Sequence, residues 1–379
     1  MSSLSEDQKK KFEKYLKSSS EEHFNLAEDV NYRISTGSLK FDSIIGGGFG
    51  PGIIRLSGAS EGGKTNEALE IANNFLDELK QDGMVCYIKA EGRLSQEIQD
   101  RQRRKFVKKI DDWNSNNIFI FKSNIYERVV DWIDNVLTIL QGKKVLFIID
   151  SLDGLSRRAD VEKGITGDEN IQVAGVPWFT NQFLKMYGSK ITELGHMAIL
   201  LSQVRAKIQA TMNRKKEEQL ISTATGGNAA VHFAEWMFNY DPRIQSNNIL
   251  ENDAAPDFVS NKILGHWASL TISKSTNETS GYRIKYPIKH NVKGKSSIWR
   301  EYEIADMFLS ESFYKKNGSW LSMSEKCKKI SDKEKLGMPE SIQGVKNLMN
   351  CLAENPKACN FWYNYFVKYI SDGDSSDLV

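Results

Sequence analysis

SGASEGGKT, Ser57 to Thr65, puts three glycines into nine residues directly ahead of an amphipathic segment. Glycine loses more conformational freedom on folding than any other residue, so such a run needs something that profits from the missing side chains. The octet Gly58 to Thr65 reads G-x-x-x-x-G-K-T, follows the apolar run GIIRLSG and opens the helix-period segment NEALEIANNFLDELK. In that setting the loop cradles phosphate. The backbone N–H groups of Gly58, Ala59, Ser60, Glu61, Gly62 and Gly63 turn toward one anionic centre, and the helix adds the positive end of its dipole. Lys64 then reaches the β- and γ-phosphates and the Thr65 hydroxyl ligates Mg²⁺, which makes ATP with Mg²⁺ the expected cofactor.

A phosphate loop needs a second acid for its metal. KVLFIIDS supplies Asp150 after five apolar residues, at the C-terminal end of what reads as a central strand, the rim on which doubly wound sheets bind ligands. Hydrolysis also needs a group to orient the attacking water. Glu91 in MVCYIKAEG follows another apolar strand and is the candidate, a plain surface carboxylate being the competing reading. Gln203 ends HMAILLSQ, where a neutral amide can bond a γ-phosphate and pass its presence into the segment that follows.

Further strand candidates are NIFIFKS, AEWMFNY and WASLTISK. Nearly all-apolar strands alternating with amphipathic segments imply an α/β fold with a mostly parallel central sheet flanked by helices. Three regions are expected: an N-terminal helical arm over 1–32, the nucleotide-binding core over 33–280 and a smaller C-terminal α+β region over 281–379. RQRRKFVKK, Arg101 to Lys109, reads as the exposed face of a helix. No internal repeat is visible.

No apolar run approaches the roughly 18 residues of a membrane-spanning helix, and the charged start MSSLSEDQKKKFEKYLK lacks the apolar core of a secretory signal. A cytoplasmic chain without membrane contact is expected. Cys86, Cys327, Cys351 and Cys359 have neither C-x-x-C pairing nor zinc-like spacing with the five histidines, so they read as buried or free thiols. The net charge of +2 means that any nucleic-acid affinity must come from local clusters.

Two such clusters stand out. VRAKIQATMNRKKEEQLISTATGGN carries Arg205, Lys207, Arg214, Lys215 and Lys216 before its first acid. A basic segment beside a nucleotide sensor suggests phosphate-backbone binding switched by ATP. SRRADVEKGITGDENIQVAGVPWF, after Asp150, is likewise polar and glycine-broken. A solvated charge run is the alternative for both.

In order, ISTGSLKFDSIIG, GASEGGKT, YIKAEG, IIDS, LSQVRAKI and TATGGNA closely resemble the RecA family of homologous recombinases, over residues 33–280. Size and divergent ends look more like a phage member, of the UvsX kind, than a cellular one, which would place it in a host's cytoplasm. The resemblance implies a RecA-type ATPase core and a homo-oligomeric helical filament on single-stranded DNA that pairs with a homologous duplex and exchanges strands. It also implies mediator and single-strand-binding proteins as partners, an N-terminal arm that docks on the next protomer, and ATP bound between protomers. Carried over by motif, Gly58 to Thr65 bind phosphate and Mg²⁺, Asp150 supports the metal, Glu91 positions water and Gln203 senses the γ-phosphate. Lys163 and Gly175 fall in the first DNA loop; Arg205, Lys207, Arg214, Thr225, Gly226, Gly227 and Asn228 fall in or beside the second.

The pattern also departs from the family. Ile98 stands where an adenine-stacking aromatic is common, with Ser95 for the nearby acid. Of two cations expected to reach a neighbour's ATP, Lys274 is present but Thr276 follows, with Lys262 or Arg283 as replacements. PWFTNQF replaces an arginine common after the first loop, the second loop is longer, and the acidic tail shrinks to DGDSSD. Another RecA-type motor would share the phosphate loop but gives no reason for ISTGSL or TGGNA. A silent filament-binding paralogue would have lost Lys64, Glu91 or Asp150, and all three are present.

Overall fold

The computed structural model describes residues 5–18, 32–92, 94–163, 175–203, 233–252 and 261–372. The chain divides into two units, residues 1–31 and 32–379. Of the first, the described part is helix α1 (Glu6–Ser18), with acidic Glu6 and Asp7 in its first turn, where they complement the helix dipole. Phe12 and Tyr15 of α1 are exposed.

The second unit is built on a ten-stranded sheet. Its strands are β1 (Gly52–Gly58), β2 (Gly83–Lys89), β3 (Lys105–Val107), β4 (Asn117–Lys122), β5 (Lys144–Asp150), β6 (Met197–Gln203), β7 (Trp236–Tyr240), β8 (Asn248–Leu250), β9 (Ile263–Lys274) and β10 (Arg283–Lys289). The order is β10-β9-β7-β1-β6-β5-β2-β4-β3, with β8 paired to β9. From β3 to β7 all neighbours are parallel, and β8 to β10 add antiparallel pairs. Helices α2 (Leu39–Ile45), α3 (Lys64–Leu79), α4 (Gln96–Arg101), α5 (Tyr126–Ile139), α6 (Arg158–Lys163) and α7 (Gly175–Glu193) connect or flank these strands.

Side-chain alternation explains why the central strands are so largely apolar. Leu146, Ile148, Ile199, Leu201, Ile54 and Leu56 join the core shared with α2 and α3, while Phe147, Ile149, Leu200 and Ile53 join the core shared with α5 and α7. A strand covered on both faces has no polar face to show.

ISTGSLKFD is a turn organised by one carboxylate. Asp42 accepts from the Thr36 N–H (2.9 Å), the Thr36 hydroxyl (2.7 Å) and the Ser35 hydroxyl. Ser38 caps α2 by accepting from the Phe41 N–H at 3.1 Å. Gly37 has φ 93°, and a Cβ there would sit 2.9 Å from Glu70 Cγ on α3, so both the backbone conformation and the close approach require glycine.

The C-terminal part contains α8 (Arg300–Ser310), α9 (Glu325–Lys333), α10 (Gly344–Glu354), α11 (Pro356–Asp372) and the small antiparallel sheet β11 (Tyr314–Asn317), β12 (Trp320–Met323), β13 (Ser341–Gln343). An aromatic core of Phe308, Phe313, Trp362 and Phe366 holds it together. Residue 280 is not where the large sheet stops: β10 pairs along its length with β9, and Ile284, Tyr286 and Ile288 belong to the main core. Glu303 of α8 ties the part to the α2 turn, accepting from the Ser38 hydroxyl at 2.6 Å and from the Leu39 N–H. The Tyr363 hydroxyl donates to the Gly37 carbonyl at 2.8 Å.

The basic run 101–109 differs from expectation. Only Arg101 is helical, as the last residue of α4, and Lys105–Val107 is the edge strand β3. Arg103 pairs with Glu70 (3.3 Å) and Asp77, and Arg104 pairs with Asp77. Those carboxylates lie on α3, and the segment that follows the two arginines is extended because it pairs with β4. Cys86, Cys327 and Cys359 are buried and all four cysteines are free, as expected.

Candidate nucleotide and nucleic-acid site

Strand register assembles the site. Gly58, the last residue of β1, lies beside Gln203 of β6 on one side and Tyr240 of β7 on the other. Lys89 of β2 lies beside Asp150 of β5, which brings Glu91, two residues on, to the same rim. The Ala90 and Glu91 N–H groups both donate to the Asp150 carbonyl, at 2.9 and 3.3 Å.

Glycine is required where the loop leaves β1. Gly58 has φ 143°, and a Cβ there would lie 2.3 Å from the Tyr240 carbonyl oxygen. Gly63, with φ 102°, occupies the N-cap of α3 without a side-chain cap, leaving the first helical N–H groups free to face an anion. Lys64 is buried, and its ammonium donates to the carbonyls of Gly58 (2.9 Å) and Ala59 (2.6 Å). Burial pulls its pKa down, and Asp150 and Asp153 oppose that.

The Thr65 hydroxyl donates to Asp150 Oδ2 at 3.1 Å, and the Tyr87 hydroxyl donates to the same oxygen. Burial raises the Asp150 pKa; those two hydrogen bonds oppose the rise, the charge of Glu91 adds to it, and Lys64 counters. Thr65 and Asp150 together form a hard-oxygen donor pair suited to Mg²⁺ that keeps part of its water shell. The donor set, the glycine-lined approach and the buried lysine all fit a magnesium nucleotide.

Glu91 accepts from the Ser151 hydroxyl through one oxygen and from the Gln203 amide, at 3.5 Å, through the other. The Gln203 N–H in turn donates to Asp153 at 2.6 Å. Gly154 makes room for this arrangement, since a Cβ there would approach Glu91 Cβ to 2.7 Å. Tyr87, Ser151, Asp153 and Tyr240 thus belong to the site, although their residue types carried no signal of it. Ser151 follows Asp150 directly, and Asp153 could have been suspected as a second acid on the rim.

Beside the loop lies a cleft of about 170 Å³ lined by Glu61, Gly63, Asn66, His266, Lys289 and His290 among others. His266 Nδ1 and His290 Nε2 are 2.8 Å apart, and burial draws the pKa of both down, that of His266 to about 4. Ile98 packs against the main core, and Ser95 caps α4 by accepting from the Ile98 N–H at 3.3 Å. Both are engaged in structure there.

Lys274 is not brought to the loop of its own chain. It pairs with Met237, whereas Tyr240 is the residue beside Gly58; three residues of strand put it roughly 10 Å back from the rim. Arg283 pairs with Asp241 and donates to Ser269 at 3.1 Å. Lys163 is the last residue of α6 and Gly175 the first of α7, on either side of 164–174. Arg205, Lys207, Arg214, Thr225, Gly226, Gly227 and Asn228 lie outside the described residues, after Gln203.

The RecA N-terminal domain family matches residues 9–265, well over half of the chain. Protein RecA of Allochromatium vinosum is 25% identical over 325 residues, spanning 85% of this chain and 79% of its own length. Protein RecA of Mycolicibacterium gilvum is 26% identical over 340 residues, with 88% and 83% covered. That of Rickettsia bellii is 26% identical over 332 residues, with 86% and 81% covered. With the phosphate loop, the acids of the rim and this match taken together, the chain belongs to the RecA family of DNA-dependent ATPases.

Proposed function

We propose that this chain is an ATP-dependent recombinase that forms a homo-oligomeric filament on single-stranded DNA, pairs it with a homologous duplex and exchanges strands. Gly58 to Thr65 hold the phosphates and Thr65 with Asp150 holds Mg²⁺, which withdraws charge from the transferring phosphoryl group when bound. Lys64 turns from the Gly58 and Ala59 carbonyls to the terminal phosphate. Glu91 positions the attacking water as its base. The cleft at Asn66, His266 and His290 takes ribose and base.

One observation carries the coupling to DNA: Gln203 is held at its side chain by Glu91 and at its N–H by Asp153, directly before the basic segment 204–232. A γ-phosphate that competes for the Gln203 amide changes the anchor of that segment. Arg205, Lys207 and Arg214 grip DNA phosphates, Thr225 to Asn228 complete the loop, and Lys163 and Gly175 flank the other DNA loop. Lys274, remote from its own phosphate loop, acts at a neighbour's ATP.

We place the chain among phage UvsX-like members, in a host's cytoplasm, with mediator and single-strand-binding proteins among its partners. Among the described residues no helix is long and apolar enough to cross a membrane. The test is ATP turnover with and without single-stranded DNA, alongside DNA affinity with and without a slowly hydrolysed ATP analogue. Strong stimulation and nucleotide-dependent affinity support the coupling. Turnover indifferent to DNA, with affinity indifferent to nucleotide, removes it.

A further inference from the structure

A cleft of about 400 Å³ opens between α9 and α11, formed by residues outside the nucleotide rim. Ile330, Phe361 and Tyr365 line its apolar part and Lys329, Lys333 and Lys368 its edges. Ile330 and Tyr365 are buried, Phe361 half-buried and the three lysines exposed. The helices carry their apolar stripe from the C-terminal core out into this groove.

Charge and shape together narrow the occupant. Among the described residues none of Lys329, Lys333 and Lys368 takes part in an ion pair, while the neighbouring Lys328 is bound to Glu340 at 2.7 Å. Glu334 is the one acid of the lining. Lys326, a turn before Ile330, holds its ammonium over Phe313, 5.2 Å from the ring centre. A nucleic-acid backbone would use the lysines and leave the aromatic wall wet. A neutral apolar ligand would fill the wall and leave three cations unanswered. A peptide with one bulky apolar side chain between carboxylates uses both, the arrangement of a protein interface with an apolar centre and a charged rim. The volume suits one or two such side chains.

We propose that the cleft between α9 and α11 is a docking site for an acidic peptide segment of a partner protein, anchored by an apolar side chain against Ile330, Phe361 and Tyr365 and held by Lys329, Lys333 and Lys368. The assignment is independent of the ATP site. It gives the C-terminal region a recruiting role separate from catalysis.

The experiment is fluorescence anisotropy on the full chain with a fluorescein-labelled synthetic peptide carrying a central phenylalanine flanked by aspartates. Saturable binding is expected, weakened about tenfold or more when serine replaces the phenylalanine or lysines replace the aspartates. The triple variant Lys329→Glu, Lys333→Glu, Lys368→Glu should lose binding to the same degree while keeping its DNA-stimulated ATPase, which also reports that it folds. Asn364→Trp, an exposed residue of the lining, should block the cleft with charge unaltered. No saturable binding, or binding unaffected by these variants, overturns the proposal. So does duplex DNA displacing the peptide through the same lysines, which would make this a nucleic-acid surface. A chain lacking residues 373–379 that binds the peptide more than about tenfold tighter would make that acidic segment the occupant, and likewise overturns a partner's.

Discussion

The Lys64 ammonium sits in a buried loop where main-chain carbonyls are its hydrogen-bond partners, so a phosphate anion is the partner that offsets its desolvation. Lys64→Ala should abolish ATP-dependent strand exchange and lower kcat/KM for ATP at least about 100-fold, the scale for losing a preorganised electrostatic group; wild-type exchange in that variant counts against the site. Glu91→Gln keeps a side chain that can still accept from Ser151, so nucleotide binding should persist while kcat drops at least about tenfold. Equal turnover in both proteins removes Glu91 from its role. Lys64, Thr65 and Asp150 were legible because their spacing and context are local. Tyr87 was not, because a tyrosine in an apolar strand gains its part only through neighbours distant in sequence.

Among elements, the runs GIIRLSG and KVLFIID coincide with β1 and β5, and NEALEIANNFLDELK lies within α3 apart from its last residue. Periodicity and apolar runs decide such segments because the same burial shapes both sequence and structure. The run 101–109 went the other way: Lys105–Val107 pairs with β4 and the arginines before it pair with Asp77 and Glu70, partners that no local pattern announces. On this scale belongs the basic segment after β6. Replacing both Arg205 and Lys207 with alanine should weaken single-stranded DNA binding and shrink the slope of log affinity against log salt by up to about 1.4, near 0.7 per lost phosphate contact. Titrations at several salt concentrations measure it, and an unchanged slope says the segment does not touch phosphate.

At the scale of the molecule, the C-terminal part is joined to the α2 turn through a buried acid. Burial lifts the Glu303 pKa to about 8, hydrogen bonds from Ser38 and Leu39 opposing the rise and the charge of Asp42 adding to it. Below its ordinary value of 4.5 the group is protonated in both folded and unfolded chains and imposes no pH dependence. Between 4.5 and about 8 the folded chain keeps a proton that the unfolded chain releases, so this contribution lowers stability as pH rises, by up to about 1.4 kcal/mol per unit. Glu303→Gln removes the titrating group and keeps one acceptor oxygen, with an amide NH₂ in place of the other. Urea midpoints from pH 5 to 8 should therefore decline less steeply in the variant, and parallel profiles would mean Glu303 is ionised in the fold. The boundary expected at 280 could not be placed from sequence because YRIKYPIKH reads as a strand whichever sheet it joins; pairing with β9 is a tertiary fact.

Because β6 and β7 both flank β1, the sheet fixes the points at which the intervening stretch leaves it and returns to it. Doubling its length would cost only about 0.6 kcal/mol in closure entropy. An insert between those two points can accordingly be lengthened, trimmed or grafted from a relative while the ATPase scaffold stays put, which leaves its length and the nucleotide chemistry free to evolve at different rates.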